Sequence, residues 1–314
     1  MPKMDYISYL SAKLRSSDQP RPFLKWAGGK TKLLPQLLPL LPSALKTGQI
    51  KRYVEPFIGG GAMFFYLATH YQFSELVISD VSKELILCYT MIQQNVEELL
   101  QYLTELQKSY TETTSEKREE LFYAIRSRFN QQAKQQCKVE RVAQMIFLNH
   151  TCFNGLFRLN SKGGFNVPFG RYRNPKIFNA TNLRLTAKLL QKTEIICADF
   201  EKSLAFADKA TFFYFDPPYR PISKTSAFTS YAKDGFKDQD QVRLAKLFHK
   251  LHKRGAKLML SNSDPQNNDP KDDFFAKLYA EFSLITTVKA ARAINANGQK
   301  RGKVSELVIT NYFS

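Results

Sequence analysis

The sequence predicts an α/β protein in which helices cover both faces of a mostly parallel sheet. The first observation is that short apolar runs alternate with segments of helical periodicity. The second is that 314 residues exceed the ~100–200 of one typical domain, so we expect one large domain with an insert. The third is an ordinary globular composition, 43% hydrophobic and 24% charged, which excludes a disordered, collagen-like or disulfide-stapled chain.

Each predicted strand is a short apolar run, and strands and helices alternate for most of the chain. The predicted strands are residues 52–57, 75–80, 194–200, 211–215, 257–262, 283–289 and 305–312. The predicted helices are residues 62–69, 82–94, 139–150, 182–191, 201–206 and 239–254, and Ser82 is placed to cap the second of them.

A change of composition interrupts this alternation. Residues 95–138 are rich in Gln, Glu, Lys and Tyr with heptad-like apolar positions, which predicts a helical insert. Residues 151–175 carry Asn-Gly, Gly-Gly and Asn-Pro turn signals, which predict an exposed hairpin, loop-like and poorly suited to a core. We therefore expect an α/β domain of residues 1–94 and 179–314 with an inserted domain at 95–178.

The chain is strongly basic, with 46 Lys and Arg against 28 Asp and Glu and a net charge of +18. Such a surface attracts polyanions, so nucleic acid is the leading partner; a merely soluble basic protein is the alternative. Two clusters lack acids. They are Arg158, Lys162, Arg171, Arg173 and Lys176, and Lys289, Arg292, Lys300, Arg301 and Lys303. The second cluster is either a phosphate-contacting loop or a solvated one.

Cysteine and histidine positions argue against disulfides and metal. The four cysteines include no CxxC pair, and neither the polar leader nor the proline-broken run at 33–41 resembles a signal peptide or membrane span. We expect a reducing, cytoplasmic compartment. His249 and His252 lie three apart on a helix without acidic or Cys companions, so no metal is expected.

Ligands of open α/β sheets bind beyond the carboxyl ends of the strands. The first strand ends in Glu-Pro-Phe-Ile-Gly-Gly-Gly at residues 55–61, where glycines allow close backbone approach to a ligand. The run does not continue as G-x-G-x-x-G, so NAD is disfavoured; a simple tight turn is the alternative.

Two further strand ends carry acids. Asp80 can accept hydrogen bonds from ribose hydroxyls, or it is an N-capping or solvated acid. Asp199 and Phe200 can hold an adenine by a polar contact and a stacked ring, or they are a loop acid beside a core Phe.

The sharpest signal is the tetrapeptide Asp216-Pro217-Pro218-Tyr219, which directly follows an apolar strand. Prolines fix φ and remove backbone donors, which leaves the Asp216 carboxylate and the Pro217 carbonyl as rigid acceptors with no local partner. Tyr219 offers a stacking face. We predict a catalytic role for the four residues; a proline turn beside a surface Asp is the alternative.

Together these strings resemble the DNA adenine methyltransferase (Dam) family, the alpha-order D12 class, over nearly the whole chain from Phe23. Phe-Leu-Lys-Trp-Ala-Gly-Gly-Lys at residues 23–30 is similar to its amino-terminal cofactor motif, residues 57–61 to its glycine loop, and residues 216–219 to its catalytic tetrapeptide. The resemblance implies a Rossmann-like class I S-adenosylmethionine-dependent methyltransferase fold with an inserted helical and hairpin DNA-recognition domain.

The implied cofactor is S-adenosylmethionine. In this reading Lys30 pairs with the methionine carboxylate, Asp80 with the ribose, and Trp26 or Phe57 faces the sulfonium cation. The implied cofactor-binding residues are Trp26, Lys30, Phe57, Gly59, Gly61, Asp80, Asp199, Phe200 and Asp216.

Residues 154–158 and 166–172 resemble the family's recognition hairpin for GATC. By that likeness Arg158 reads a guanine, Leu156 and Pro168 touch the thymine methyl, Tyr172 meets the backbone and Lys25 helps with the other guanine, in agreement with direct-readout chemistry. The implied DNA-recognition residues are Lys25, Asn154, Leu156, Arg158, Pro168 and Tyr172.

The resemblance implies methylation of the adenine N6 amine in double-stranded DNA, with the base flipped out and residues 220–236 as a lid or an ordinary loop. A monomer or weak dimer is expected, acting either beside a cognate restriction endonuclease or as a solitary repair or regulatory methylase. Two other functions stay open: methylation of an RNA or protein amine, and DNA binding by a regulator that has lost catalysis.

Overall fold

The computed structural model describes residues 18–131, 137–160, 162–220, 236–282, 284–291 and 303–313. Seven strands form one sheet in the order β3-β2-β1-β4-β5-β7-β6. The strands are β1 Arg52–Glu55, β2 Glu75–Asp80, β3 Thr193–Cys197, β4 Thr211–Phe215, β5 Lys257–Ser263, β6 Leu284–Ala291 and β7 Lys303–Thr310. Strands β1 to β5 are parallel, and β7 runs antiparallel to both of its neighbours. The predicted mostly parallel α/β sheet is confirmed.

The α-helices are α1 Leu34–Leu37, α2 Ser43–Lys46, α3 Ala62–His70, α4 Lys83–Thr111, α5 Ser115–Gln131, α6 Lys138–Thr151, α7 Ala180–Leu190, α8 Asp238–Lys253 and α9 Phe274–Leu278. Ser82 caps α4 as predicted, accepting a hydrogen bond from the Leu85 amide at 3.4 Å. The predicted end of this helix at residue 94 is wrong, because α4 continues through a non-helical torsion at Asn95 (φ −136°, ψ 37°).

The predicted strand 194–200 also ends early. It stops at Cys197, and Phe200–Phe206 forms a 3-10 helix with Asp199 as its cap. Asp199 accepts the Glu201 amide at 3.0 Å, and that local bond favours the helical turn over further extension of the strand.

Both faces of the sheet are covered, as expected. On β4, Phe212 and Tyr214 point into one apolar cluster, which includes residues of α3 to α7. Phe213 and Phe215 point into a second cluster packed on α8. This alternation follows from the two-residue period of a strand.

The hairpin within residues 151–175 is partly buried, so the expectation that it suits no core is wrong. Antiparallel bridges join Cys152 to Phe169 and Leu159 to Phe165. Phe157, Phe165, Val167 and Phe169 are 8% exposed or less. The ring of Phe165 contacts Phe129 of α5, and the ring of Phe169 contacts Phe122 of the same helix. The alternate residues Phe165, Val167 and Phe169 therefore anchor one arm of the hairpin to the core, while the residues between them are more exposed.

Parts of the predicted features lie outside the described residues. They are residues 1–17 of the leader, residues 221–235 of the segment called a lid, and Arg292, Lys300 and Arg301 of the second basic cluster. Among the helices of the described ranges, none is long and apolar enough to cross a membrane.

Candidate active site

The strand order reverses between β1 and β4, and the glycine loop and the tetrapeptide leave the sheet side by side at this point. Open α/β sheets bind ligands at such a switch point. The edge therefore brings together the two motifs that the sequence singled out separately.

Buried polar groups of β5 and α8 hold the chain that follows Asp216. Gln241 Nε2 donates to the Pro218 carbonyl at 3.3 Å, Asn262 Oδ1 accepts the Arg220 amide at 3.4 Å, and Ser263 Oγ donates to the Arg220 carbonyl at 2.9 Å. No donor from the described residues contacts the Pro217 carbonyl. That carbonyl thus remains an acceptor on a fixed turn.

Asp216 forms an ion pair with Lys30. The Nζ of Lys30 lies 2.8 Å from Asp216 Oδ1, and the lysine is only 4% exposed. The same ammonium donates to the Gly28 carbonyl at 2.6 Å and lies 4.5 Å from the centre of the Tyr219 ring. Burial raises the pKa of Asp216 to about 6, against the opposing effect of Lys30.

The predicted pairing of Lys30 with the methionine carboxylate of the cofactor stays a prediction. The expectation that Asp216 lacks a local partner is wrong, because the Lys30 ammonium contacts its carboxylate. The reason is the turn before Lys30, where Gly28 adopts φ +77° and directs the chain so that the lysine is buried against the end of β4.

Asp80 connects the end of β2 to the glycine loop. Its carboxylate accepts the Gly59 amide at 3.3 Å and the Ser82 amide at 2.9 Å. Burial raises the pKa of Asp80 to about 6, although these backbone hydrogen bonds act to lower it. A carboxylate has about four acceptor positions, so capacity for ligand hydroxyls remains.

The glycine loop is closely packed. Gly61 has φ +72°, and a Cβ there would lie 2.7 Å from the Tyr89 hydroxyl, which itself donates to the Gly59 carbonyl at 3.1 Å. A Cβ on Gly59, at φ +46°, would lie 3.0 Å from the Trp26 ring. Glycine is required at these positions by torsion and by space.

Three phenylalanines cluster beside this loop. Phe57 and Phe200 stack with centroids 5.3 Å apart, and Phe236 packs edge-on against Phe57 at 5.7 Å. Asp199 caps its own turn and pairs with Arg243 at 3.0 Å. These contacts fit the alternative interpretation, in which Asp199 is a loop acid beside a core Phe. The predicted contact of Asp199 with an adenine stays a prediction.

The segment at residues 23–30 and the hairpin within residues 151–175 are joined through Asn149. Its buried amide accepts the Lys25 backbone N–H at 2.8 Å and donates to the Lys25 and Gly155 carbonyls at 2.9 and 3.0 Å. The Lys25 ammonium lies 4.9 Å from the Tyr172 ring centre, and Trp26 stacks on Phe157 at 5.8 Å. Sequence reasoning missed Asn149, since it precedes the turn signals and sits within a helix.

The outer side of the hairpin presents Arg158, Asn154 and Pro168 as exposed residues, with Leu156 half-buried. Arg158 Nε donates to Asn166 Oδ1 at 2.8 Å, which orients the guanidinium. Phe153 is 52% exposed next to Asn154, which adopts φ +55°.

The histidines singled out in the sequence have local partners. His249 Nδ1 lies 3.0 Å from Glu281, and His252 lies 3.0 Å from the Asn311 amide. Within the part of the chain that the structure describes, no group of three or more His, Cys, Asp or Glu could hold a metal ion.

Comparison with known proteins shows the family of this chain. The model of the D12 class N6 adenine-specific DNA methyltransferases matches residues 26–294. The chain is 51% identical to the Type II methyltransferase M.MjaIII of Methanocaldococcus jannaschii (93% of this chain, 99% of the relative). It is 40% identical to the Type II methyltransferase M1.LlaDCHI of Lactococcus lactis subsp. cremoris (93% and 95%). It is 34% identical to the DNA adenine methylase of Escherichia coli strain K12 (92% and 94%).

The seven-stranded sheet and the site at its switch point define a Rossmann-like methyltransferase. Specifically, the chain belongs to the D12 class of N6 adenine-specific DNA methyltransferases. This confirms the family resemblance and the adenine-specific DNA methyltransferase activity, in place of RNA or protein methylation or an inactive regulator. Membership implies S-adenosylmethionine as the methyl donor and DNA as the substrate.

Proposed function

We propose that this enzyme methylates the adenine of GATC in double-stranded DNA. The observation that carries the proposal is the recognition hairpin, whose buried face fixes it to the core while Arg158, oriented by Asn166, and Pro168 stay exposed. A guanidinium matches the two acceptors of guanine in the major groove, and an apolar ring suits the thymine methyl. Lys25 and Tyr172 lie together beside this hairpin.

The residues at the switch point fit the cofactor. Asp80 retains acceptor capacity for ribose hydroxyls. The backbone of Gly59 is partly exposed at a position where a Cβ would contact Trp26, and Phe57 is a partly exposed ring at the edge of an aromatic cluster. When bound, S-adenosylmethionine supplies an electrophilic methyl group. Lys30 would serve the reaction by holding Asp216 ionised, in addition to its predicted role as partner of the methionine carboxylate.

Asp216 and Pro217 would activate the amine. The adenine N6 amine is a poor nucleophile because its lone pair is delocalised into the ring. Lys30 contacts Oδ1 of Asp216, which leaves Oδ2 as an acceptor. This oxygen and the Pro217 carbonyl can accept the two amine hydrogens. The nitrogen lone pair is then directed at the incoming methyl group, so positioning and electrostatic stabilisation account for the rate enhancement.

Tyr219 would hold the target base after it leaves the helix. Flipping an adenine out of a duplex costs a few kcal/mol, and stacking on an aromatic side chain returns ~1–3 kcal/mol per base. The Lys30 ammonium lies 4.5 Å from the centre of the Tyr219 ring. Pro218, which is exposed, stiffens the turn that carries this ring.

The test is a protection assay. Unmethylated plasmid is incubated with enzyme and labelled donor, then digested with nucleases that differ in their response to adenine methylation at GATC. We expect label on adenine and loss of cutting by the sensitive nuclease. Equal label on a plasmid whose GATC sites have been changed would contradict the assignment of this sequence. The Type II relatives favour a partnership with a restriction endonuclease, which co-expression with a GATC-cleaving nuclease would test by cell survival.

A further inference from the structure

We propose that Glu306 is a positioning residue for methyl transfer, because its carboxylate accepts the hydroxyl of Tyr219 and thereby fixes the ring that receives the target base. The Tyr219 Oη lies 2.5 Å from Glu306 Oε2. The sequence analysis assigned Glu306 no role. The inference rests on the proposed function of Tyr219 as the stacking residue.

The carboxylate comes from a rigid strand. Glu306 lies on β7, where it pairs in register with Ser263 of β5 and Val288 of β6. Strand alternation places it on the same face as Val308, while Leu307 packs into the cluster on the other face. A group held by two neighbouring strands can define an orientation better than a loop residue can.

The ring is held from two directions. Its hydroxyl is tied to Glu306, and the Lys30 ammonium lies 4.5 Å from its centre. Burial, followed by the nearby Asp216 and Glu306 charges, raises the pKa of Tyr219 well above its usual range. The hydroxyl therefore stays protonated and remains a donor to Glu306 at any working pH.

Without this bond, the turn would still be fixed by Gln241, Asn262 and Ser263. The Lys30 ammonium would still contact the ring, but the hydroxyl end of the Tyr219 side chain would no longer be held. The backbone contacts stop at Pro218 and Arg220 on either side of it. Loss of Glu306 should therefore affect the chemical step, for which the base must be aligned, more than the binding of S-adenosylmethionine.

The experiment compares Glu306→Ala, Glu306→Gln and Tyr219→Phe with wild type, and uses the exposed strand carboxylate in Glu194→Ala as a charge-matched control. Labelled methyl transfer to total unmethylated plasmid DNA is measured at pH 8, where Asp216 is ionised in every variant. Scoring total label keeps the result independent of the GATC assignment. Thermal melting and equilibrium binding of S-adenosylmethionine report on folding.

We expect Glu306→Ala to lower kcat about tenfold or more, the scale of a lost hydrogen bond to a charged acceptor, with the KM for S-adenosylmethionine nearly unchanged. Glu306→Gln retains an oxygen acceptor and should recover most of the rate. Tyr219→Phe removes the same bond without changing β7, so it must lower kcat to a similar extent. In the double variant, adding Glu306→Ala to Tyr219→Phe must lower kcat little further.

A Glu306→Ala variant that transfers methyl groups at the wild-type rate would overturn the proposal. So would an equal loss from Glu306→Ala with and without the Tyr219 hydroxyl, which would indicate a purely structural role for the strand. If the alanine variant fails to fold, a wild-type kcat in Tyr219→Phe would by itself overturn the proposal. An inactive wild-type enzyme would instead contradict the proposed function.

Discussion

The Lys30 ammonium and the Asp216 carboxylate are 2.8 Å apart, so the amino-terminal motif at residues 23–30 and the tetrapeptide at residues 216–219 meet in one ion pair. Burial alone would favour a neutral, protonated Asp216, which could not accept hydrogen bonds at both oxygens. The buried lysine opposes that effect and keeps the pKa near 6. The pair therefore sets the pH range over which the proposed acceptor exists.

Replacing Lys30 should move the acid limb of the reaction to higher pH. Lys30 lowers the pKa of Asp216, and its removal leaves burial and the charge of Glu306 to raise it. We expect Lys30→Met to lose activity at pH values where wild type is fully active, by about tenfold for each pH unit by which the limb moves. The measurement is kcat against pH, with exposed Lys32→Met as the control. An acid limb that stays in place would show that Lys30 does not tune this carboxylate.

Cofactor affinity should fall as the pH drops through about 6. The pKa of Asp80 is raised to about 6, so the ionised form that we propose accepts ribose hydroxyls is present above this pH and is lost below it. Calorimetric titration of S-adenosylmethionine at pH 7.5 and 5.5 should show weaker binding at the lower pH. In Asp80→Asn the affinity should be low at both pH values. A pH dependence that persists in this variant would place the titrating group elsewhere.

Gly61→Ala should damage both stability and cofactor binding. The new Cβ would lie 2.7 Å from the Tyr89 hydroxyl at φ +72°, and the left-handed torsion alone costs ~1–2 kcal/mol for a non-glycine residue. Gly48→Ala is a matched control, because Gly48 has φ +68° but no atom within 4 Å of the new Cβ. Denaturant unfolding should register the strain in both variants. Only the Gly61 variant should bind S-adenosylmethionine more weakly. Equal affinity of the two variants would contradict a role of this loop in cofactor binding.

Arg158→Ala should relax the choice of sequence at one base pair. A bidentate contact to guanine contributes ~1–3 kcal/mol of discrimination, and Arg158 is exposed and oriented by Asn166. Methylation rates of Arg158→Ala are measured on duplexes that differ by single substitutions in GATC. They are compared with the rates of Arg184→Ala, which removes an exposed arginine of α7. A uniform loss on all duplexes would identify Arg158 as a phosphate contact instead.

Local patterns predicted much of the fold. The strands at residues 75–80 and 211–215 were predicted to their exact bounds because continuous apolar runs end there in turn residues. Two features were not predicted: the extension of α4 past Asn95, and the burial of Phe165 and Phe169. Both depend on packing between segments that are distant in sequence, and the periodicity of one segment contains no information on such packing.

The same limit applies to the site. Strand ends and prolines indicated Asp80 and the tetrapeptide, since their local sequence is unusual. The partners that hold Asp216 and Tyr219, Lys30 and Glu306, come from opposite ends of the chain. Only the arrangement of the strands brings them to one edge, so no spacing in the sequence could reveal these pairs.

The central claim is that the Asp216 carboxylate holds the target amine, and the most direct measurement is the turnover of Asp216→Ala beside its retention of DNA. Exposed Asp269→Ala is the control for loss of a surface carboxylate. We predict that methyl transfer falls by at least about 10²–10³-fold, as when a preorganised polar group is removed from an active site, while DNA binding stays close to that of wild type. Near-normal turnover by a folded Asp216→Ala enzyme would contradict the account.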